Sequence, residues 1–132
     1  MIKPILNSYI SSPYGNRLIN GIKQFHKGYD ISSKTNNKIL NIETGLIVVK
    51  GFSKDFGNRV YIKCKDYYII YAHMDRFISN KNIGDIIMVG EELGIMGETG
   101  LSFGKHLHIE FCDSTLSNRN SFKNDKFESL YK

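Results

Sequence analysis

Four histidines are the side chains here best suited to moving protons or holding a metal, and two of them stand in Gly104-Lys105-His106-Leu107-His108-Ile109-Glu110-Phe111. The run is apolar and strand-forming, and on a strand positions i and i+2 share a face. His106 and His108 therefore point into one space while Leu107 and Ile109 turn to the opposite side. Two converging imidazoles suit a metal or a proton shuttle; the plainer reading is a surface strand whose polar face happens to be histidine. His26, in His26-Lys27-Gly28-Tyr29-Asp30, and His73, closing Tyr68-Ile69-Ile70-Tyr71-Ala72, weigh against the plainer one, because no histidine is left over for solvent.

His26 and Asp30 are four apart, which puts both on one face of a helix or a strand. Gly28 between them disfavours helix and Tyr29 and Ile31 favour extended backbone, so the pair is expected at a strand edge. A hydrogen-bonded His-Asp pair that only ties a loop is the bland alternative. A catalytic zinc takes three protein ligands and keeps a fourth position for water. His26, Asp30 and one of His106 or His108 would supply that set, and the spacing leaves open which. The histidine left over and His73 would then stand beside the water, for proton transfer or for hydrogen-bonding an oxyanion.

The elements that must position these residues read as short strands. Val60, Ile62 and Cys64 alternate with Tyr61 and Lys63, the period of a strand with one buried face. Arg59 to Lys65 and Tyr67 to His73, joined at Lys65-Asp66, read as a hairpin. Gly28 to Ser33, Lys38 to Ile42, Leu46 to Phe52, Asp85 to Val89 and Leu93 to Met96 read as further strands. Residues 1–25 carry turn signals at Ser12-Pro13-Tyr14-Gly15-Asn16 and Ile19-Asn20-Gly21 and are expected to be loops packed across the mouth of a site. Asp113 to Asn120 reads as a loop, and Ser121 to Tyr131 as at most one short helix capped by Ser121. The expectation is one all-β domain over 1–132, an antiparallel sheet or sandwich of eight short strands with loops walling a groove. Within it, 1–25 is loop-rich, 26–112 is the core and 113–132 is a tail.

Composition bounds the partners. A net charge of +5, from 18 Lys and Arg against 13 Asp and Glu, favours anionic polymers such as nucleic acid or bacterial cell wall. The basic residues are scattered and no nucleic-acid motif accompanies them, so nucleic acid is not expected as a partner. No apolar run is long enough to span a bilayer, and the N-terminus lacks the apolar core of a signal peptide. Export by another route, as for a lysis or virion component, or a trimmed chain, accounts for that. Cys64 and Cys112 lack a C-x-x-C partner and are expected to be buried thiols.

The ordered set Ser12-Pro13-Tyr14-Gly15-Asn16-Arg17, His26-x-Gly28-x-Asp30-Ile31, Tyr71-Ala72-His73-Met74, Gly94-x-Met96-Gly97-x-Thr99-Gly100-x-Ser102-x-Gly104 and His106-Leu107-His108-Ile109-Glu110 closely resembles the lysostaphin-type zinc endopeptidases that cut bacterial peptidoglycan. The resemblance runs from about Ser11 to Phe111. It implies that His26, Asp30 and His108 are the zinc ligands, that His73 and His106 are the catalytic histidines, and that an all-β fold floors a groove for peptidoglycan stem or cross-bridge peptides. A phage virion or lysis enzyme, with virion or tail partners and a site of action at the bacterial cell wall, is the expected setting. The competing reading is a module that binds cell wall or activates a separate hydrolase without catalysis of its own. Arg17 and Tyr14 are expected as structural tethers. Glu110 is expected either to buttress the ligand strand or to sit solvated at its end. Tyr29 and Phe103 either line the groove or pack. Family members often carry a Pro after the final strand, and Asp113 to Asn120 has none, so the C-terminal edge of the groove departs from the pattern.

Overall fold

The structure is a computed structural model that describes residues 1–102, 104–116 and 123–132. In chain order the strands are β1 (Ser8–Ser12), β2 (Gly15–Ile19), β3 (Ile22–His26), β4 (Tyr29–Ser33), β5 (Lys38–Leu40), β6 (Gly45–Ser53), β7 (Gly57–Lys63), β8 (Tyr68–Phe77), β9 (Ile86–Ile87), β10 (Glu92–Met96) and β11 (Leu107–Cys112), followed by the helix α1 (Lys123–Glu128). One antiparallel sheet runs β1-β4-β11-β8-β7-β6-β9, with β10 paired to β8 and β5. A separate hairpin is formed by β2 and β3. No helix among the described residues is long and apolar enough to cross a membrane.

Register explains which face carries chemistry. Ile109 lies opposite Tyr29 on β4 and Tyr71 on β8, and Tyr71 lies opposite Val60 on β7. That row across four strands is buried in the core. Leu107 and Phe111, two residues to either side of Ile109, join it, so the intervening His108 and Glu110 project from the other face. The core face is closed by α1, whose Phe127 is fully buried with ring centroids 5.0 Å from Tyr29 and 5.2 Å from Phe111. Tyr29 therefore packs rather than lining the groove, and its hydroxyl donates to Glu128.

The hairpin expected of β7 and β8 forms with Lys63 opposite Tyr68. The loop-rich expectation for residues 1–25 is corrected: β1 pairs with β4, and β2 and β3 pair with each other. The hairpin turns on Asn20 and Gly21, both at positive φ (51° and 78°), the conformation that Asn-Gly two-residue turns favour. Eleven strands, not eight, appear among the described residues because β1, β2 and β3 escape a periodicity reading. The expected helix is present as α1; its proposed cap Ser121 lies outside the described residues, as does Phe103.

Candidate metal centre and active site

Asp30 and His108 are direct cross-strand partners on β4 and β11. His26, at the end of β3, reaches them because the chain turns tightly through Lys27 and Gly28 over β11. A Cβ on Gly28 would lie 2.4 Å from the Ile109 carbonyl oxygen and 2.8 Å from Glu110 Cγ, so only glycine fits there. The result is a near-equilateral triangle of donor atoms. His26 Nε2 and Asp30 Oδ1 are 3.2 Å apart, His108 Nδ1 and Asp30 Oδ1 3.0 Å, and His26 Nε2 and His108 Nδ1 3.2 Å. A tetrahedral ion with bonds of about 2.0–2.1 Å needs ligand atoms about 3.3–3.4 Å apart. The three side chains can therefore hold one metal ion with only tenths of an ångström of adjustment.

The nitrogen of each ring that faces away from the triangle is fixed. His26 Nδ1 donates to the Pro13 carbonyl at 3.0 Å, and His108 Nε2 donates to Glu110 Oε1 at 2.8 Å. Those partners leave His26 Nε2 and His108 Nδ1 to coordinate, the usual way an outer group selects the tautomer of a ligand. Glu110 is 3% exposed. Of its two expected roles, the buttress is the one found.

Burial alone would raise the Asp30 carboxyl, but hydrogen bonds from His108 and His26, and the charge of the surrounding rings, hold it far below the usual carboxylate range. Burial would likewise push the His108 ring toward neutrality; hydrogen bonds and charge from Asp30 and Glu110 override it and raise the ring to about 9 in the polypeptide alone.

His73 and His106 face the same groove from a different direction, their ring centroids 5.2 Å apart. His73 has φ 62°, a left-handed conformation rare outside glycine, at an interruption in the β7–β8 register. Its amide donates to the Phe56 carbonyl at 2.7 Å and its Nδ1 to the Thr99 carbonyl at 2.7 Å. His106 Nδ1 donates to the Gly104 carbonyl at 2.9 Å, and its Nε2 lies 3.5 Å from Asp30 Oδ1. Both rings thus keep an Nε2 lone pair for the groove. Burial pushes His73 below its ordinary 6.5, so the ring is neutral at neutral pH.

The groove, about 700 Å³, is lined by the β2–β3 hairpin and by Leu101, Ser102 and Gly104 to His106. Two residues in it escaped the sequence reading. Phe56, in the β6–β7 turn, stacks on His108 with centroids 6.0 Å apart and an interplanar angle of 24°. Arg17, expected as a tether, lines the groove and reaches Asp30 Oδ2 at 3.3 Å. Nothing local marked Phe56. For Arg17 the signal was a cation near a predicted carboxylate ligand. Tyr14 does act as a tether, packed edge-on against Phe25 at 5.2 Å. Cys64 and Cys112 are buried thiols, and burial pushes Cys64 up to about 11.

Thr99 holds the His73 wall in place. Its hydroxyl donates to the Met74 carbonyl at 2.6 Å and accepts from the Asn58 amide at 3.1 Å. Gly57, at φ 64°, packs so closely that a Cβ would lie 2.3 Å from Thr99 Oγ1. Gly57→Ala is therefore expected to destabilise the fold by about 1–3 kcal/mol, lowering Tm by several degrees in a thermal melt. An unchanged Tm would show that the Thr99 loop yields freely.

Peptidase family M23 matches residues 24–121, a stretch that contains His26, Asp30, His73, His106 and His108. The chain belongs to that family. Among curated M23 relatives, the DD-carboxypeptidase/endopeptidase Mpg of Neisseria meningitidis is 32% identical over 112 residues, covering 83% of this chain and 25% of that protein. The chain spans about a quarter of the length of the curated relatives it matches. Among solved structures, a mutant catalytic domain of EnpA, a prophage-encoded M23 protein of Enterococcus faecalis, superposes with TM-score 0.75 at 26% identity, covering 88% of each chain. The catalytic domain of lysostaphin from Staphylococcus simulans gives TM-score 0.64 at 29% identity, covering 89% of this chain and 82% of that one. The M23 match starts at residue 24, so Arg17 and the β2 strand lie outside it.

Proposed function

We propose that this M23 domain is a zinc-dependent endopeptidase that hydrolyses peptide bonds in bacterial peptidoglycan, with His26, Asp30 and His108 holding the metal and His73 and His106 serving the reaction. The observation that carries the reading is the donor triangle, with edges of 3.0–3.2 Å, facing a groove that also presents two imidazole lone pairs. Zinc bound there supplies a Lewis acid for the scissile carbonyl and lowers the pKa of a water toward neutrality. His106 Nε2, beside Asp30, is placed to accept the proton of the attacking water. His73, held neutral by burial, turns its Nε2 lone pair to the groove, where it takes up a proton before passing it to the departing amine. Phe56 walls His108 on one side and limits water there.

The substrate reading is supported by two relatives' names: a peptidoglycan DD-endopeptidase from Vibrio cholerae and a glycyl-glycine endopeptidase from Staphylococcus capitis are 30% and 27% identical over the matched residues. Those names span two kinds of peptide, so both stem cross-links and glycine bridges are candidate bonds. Likeness to a prophage-encoded domain over 88% of both chains supports a phage lysis or virion setting. The test is digestion of purified walls of both cross-link types, with mass spectrometry of the released fragments. Hydrolysis abolished by chelator and restored by zinc is expected. Stoichiometric zinc with no cleavage of any wall would leave a wall-binding or hydrolase-activating module instead.

A proton competes with zinc for His108 Nδ1, because the ring of the polypeptide alone titrates at about 9. Zinc affinity is expected to climb with pH, by up to roughly tenfold per unit, and to level off near that value. Titration against a competing chelator across pH 6–10, with the limits taken as roughly three units below and one above that titration point, checks it. A flat profile would mean that His108 does not ligate.

A further inference from the structure

We infer that Arg17 is a positioning residue for the metal centre, holding Asp30 to one coordinating oxygen. The inference rests on the metal-site reading above and extends it to a residue on the β2–β3 hairpin. The two oxygens of Asp30 are divided between different tasks. Oδ1 meets His26 Nε2, His108 Nδ1 and His106 Nε2 at 3.2, 3.0 and 3.5 Å, whereas Oδ2 accepts from Arg17 Nη1 at 3.3 Å. The same Nη1 donates to Ser12 Oγ at 2.8 Å, so the guanidinium is steadied from the end of β1. Arg17 Nε is buried with no hydrogen-bond partner among the described residues, an unfavourable position for a polar atom. A side chain with no task beyond tying the hairpin has no reason to accept that cost while turned into the groove.

A carboxylate can grip a metal through one oxygen or both. With Oδ2 engaged by a fixed cation, Asp30 offers Oδ1 alone, and the position its second oxygen would take stays open for water and the substrate carbonyl. The same contact fixes the rotation of the carboxylate plane, which keeps Oδ1 at the corner of the donor triangle. Ligating carboxylates are commonly oriented by such outer hydrogen bonds, and removing one costs about 10–100-fold in metal affinity or activity. Lysine keeps the charge but not the planar fork, so it should substitute only in part.

The test compares the wild-type chain with Arg17→Gln, Arg17→Lys and Ser12→Ala, measuring zinc affinity by chelator competition and the visible absorption of the cobalt-substituted proteins. Arg17→Gln is expected to weaken zinc about 10–100-fold and to lower the cobalt band intensity, as a second carboxylate oxygen raises the coordination number. Arg17→Lys should recover part of the affinity, and Ser12→Ala, which loosens Arg17 without deleting it, should show a smaller shift in the same direction. Should Arg17→Gln fail to fold, Ser12→Ala and Arg17→Lys carry the measurement. Zinc bound within twofold of wild type by these variants, with unchanged cobalt spectra, overturns the positioning role even if Tm falls, because a purely structural tether would lower Tm and leave the metal unmoved. A wild-type chain that takes up no zinc overturns the metal-site reading itself.

Discussion

His108→Ala is expected to abolish zinc binding and wall hydrolysis and, separately, to destabilise the fold by about 3–5 kcal/mol. The second effect follows from where His108 sits. Its ring bridges Asp30 Oδ1 at 3.0 Å and Glu110 Oε1 at 2.8 Å, and Glu110 is only 3% exposed. Removing the ring takes the 2.8 Å His108 contact away from a carboxylate on a buried strand, and opens a gap beneath Phe56. The first effect is arithmetic on ligands: zinc held by three groups at roughly 3 kcal/mol or more each loses at least a hundredfold in affinity when one goes. Asp30→Asn separates the two consequences. The amide keeps the shape and can still accept from Arg17, so zinc and activity should be lost while Tm stays within a few degrees. Thermal melts with and without zinc, beside metal analysis of the purified proteins, read both quantities. A His108→Ala protein that keeps stoichiometric zinc would mean that the metal sits elsewhere.

Much of this was legible along the chain because the controlling pattern is local. The alternation through Leu107–Cys112 already separates Leu107, Ile109 and Phe111 from His108 and Glu110, and the core row through Ile109 is built on that separation. The β7–β8 hairpin was readable for the same reason. Residues 8–26 were not, because Leu18, Ile22 and Phe25 are exposed and no buried face imposes a period. Asn20-Gly21 was the signal that should have outweighed the missing alternation. At the site, residue types and spacing proposed the ligands, but their convergence depends on the register that sets Asp30 opposite His108. The inward turn of His73 depends on a left-handed backbone that nothing in Tyr71-Ala72-His73-Met74 specifies. Phe56 reaches His108 only through a tertiary contact, so its place in the groove could not be read from its neighbours.

His106→Ala and His73→Ala should behave in the opposite way to His108→Ala, retaining zinc while losing about 10²–10⁴-fold in hydrolysis. Neither ring contributes a corner to the donor triangle, and each is anchored by a backbone carbonyl rather than by a ligand: Gly104 for His106, Thr99 for His73. The pH profile distinguishes His73 from a ring that merely fills space. Its folded pKa is depressed by burial below 6.5, so the neutral form persists at neutral pH and any acid limb it imposes on the rate lies below 6.5. The sign for stability is the same: the unfolded chain binds the proton more readily, so this contribution is intact at higher pH and is lost as pH falls through 6.5 toward the depressed value. In His73→Ala that share of the acid sensitivity should vanish from both the rate and the melting curve. Full hydrolysis in His106→Ala, with zinc bound, would remove the base from the mechanism and leave the metal to activate water unaided.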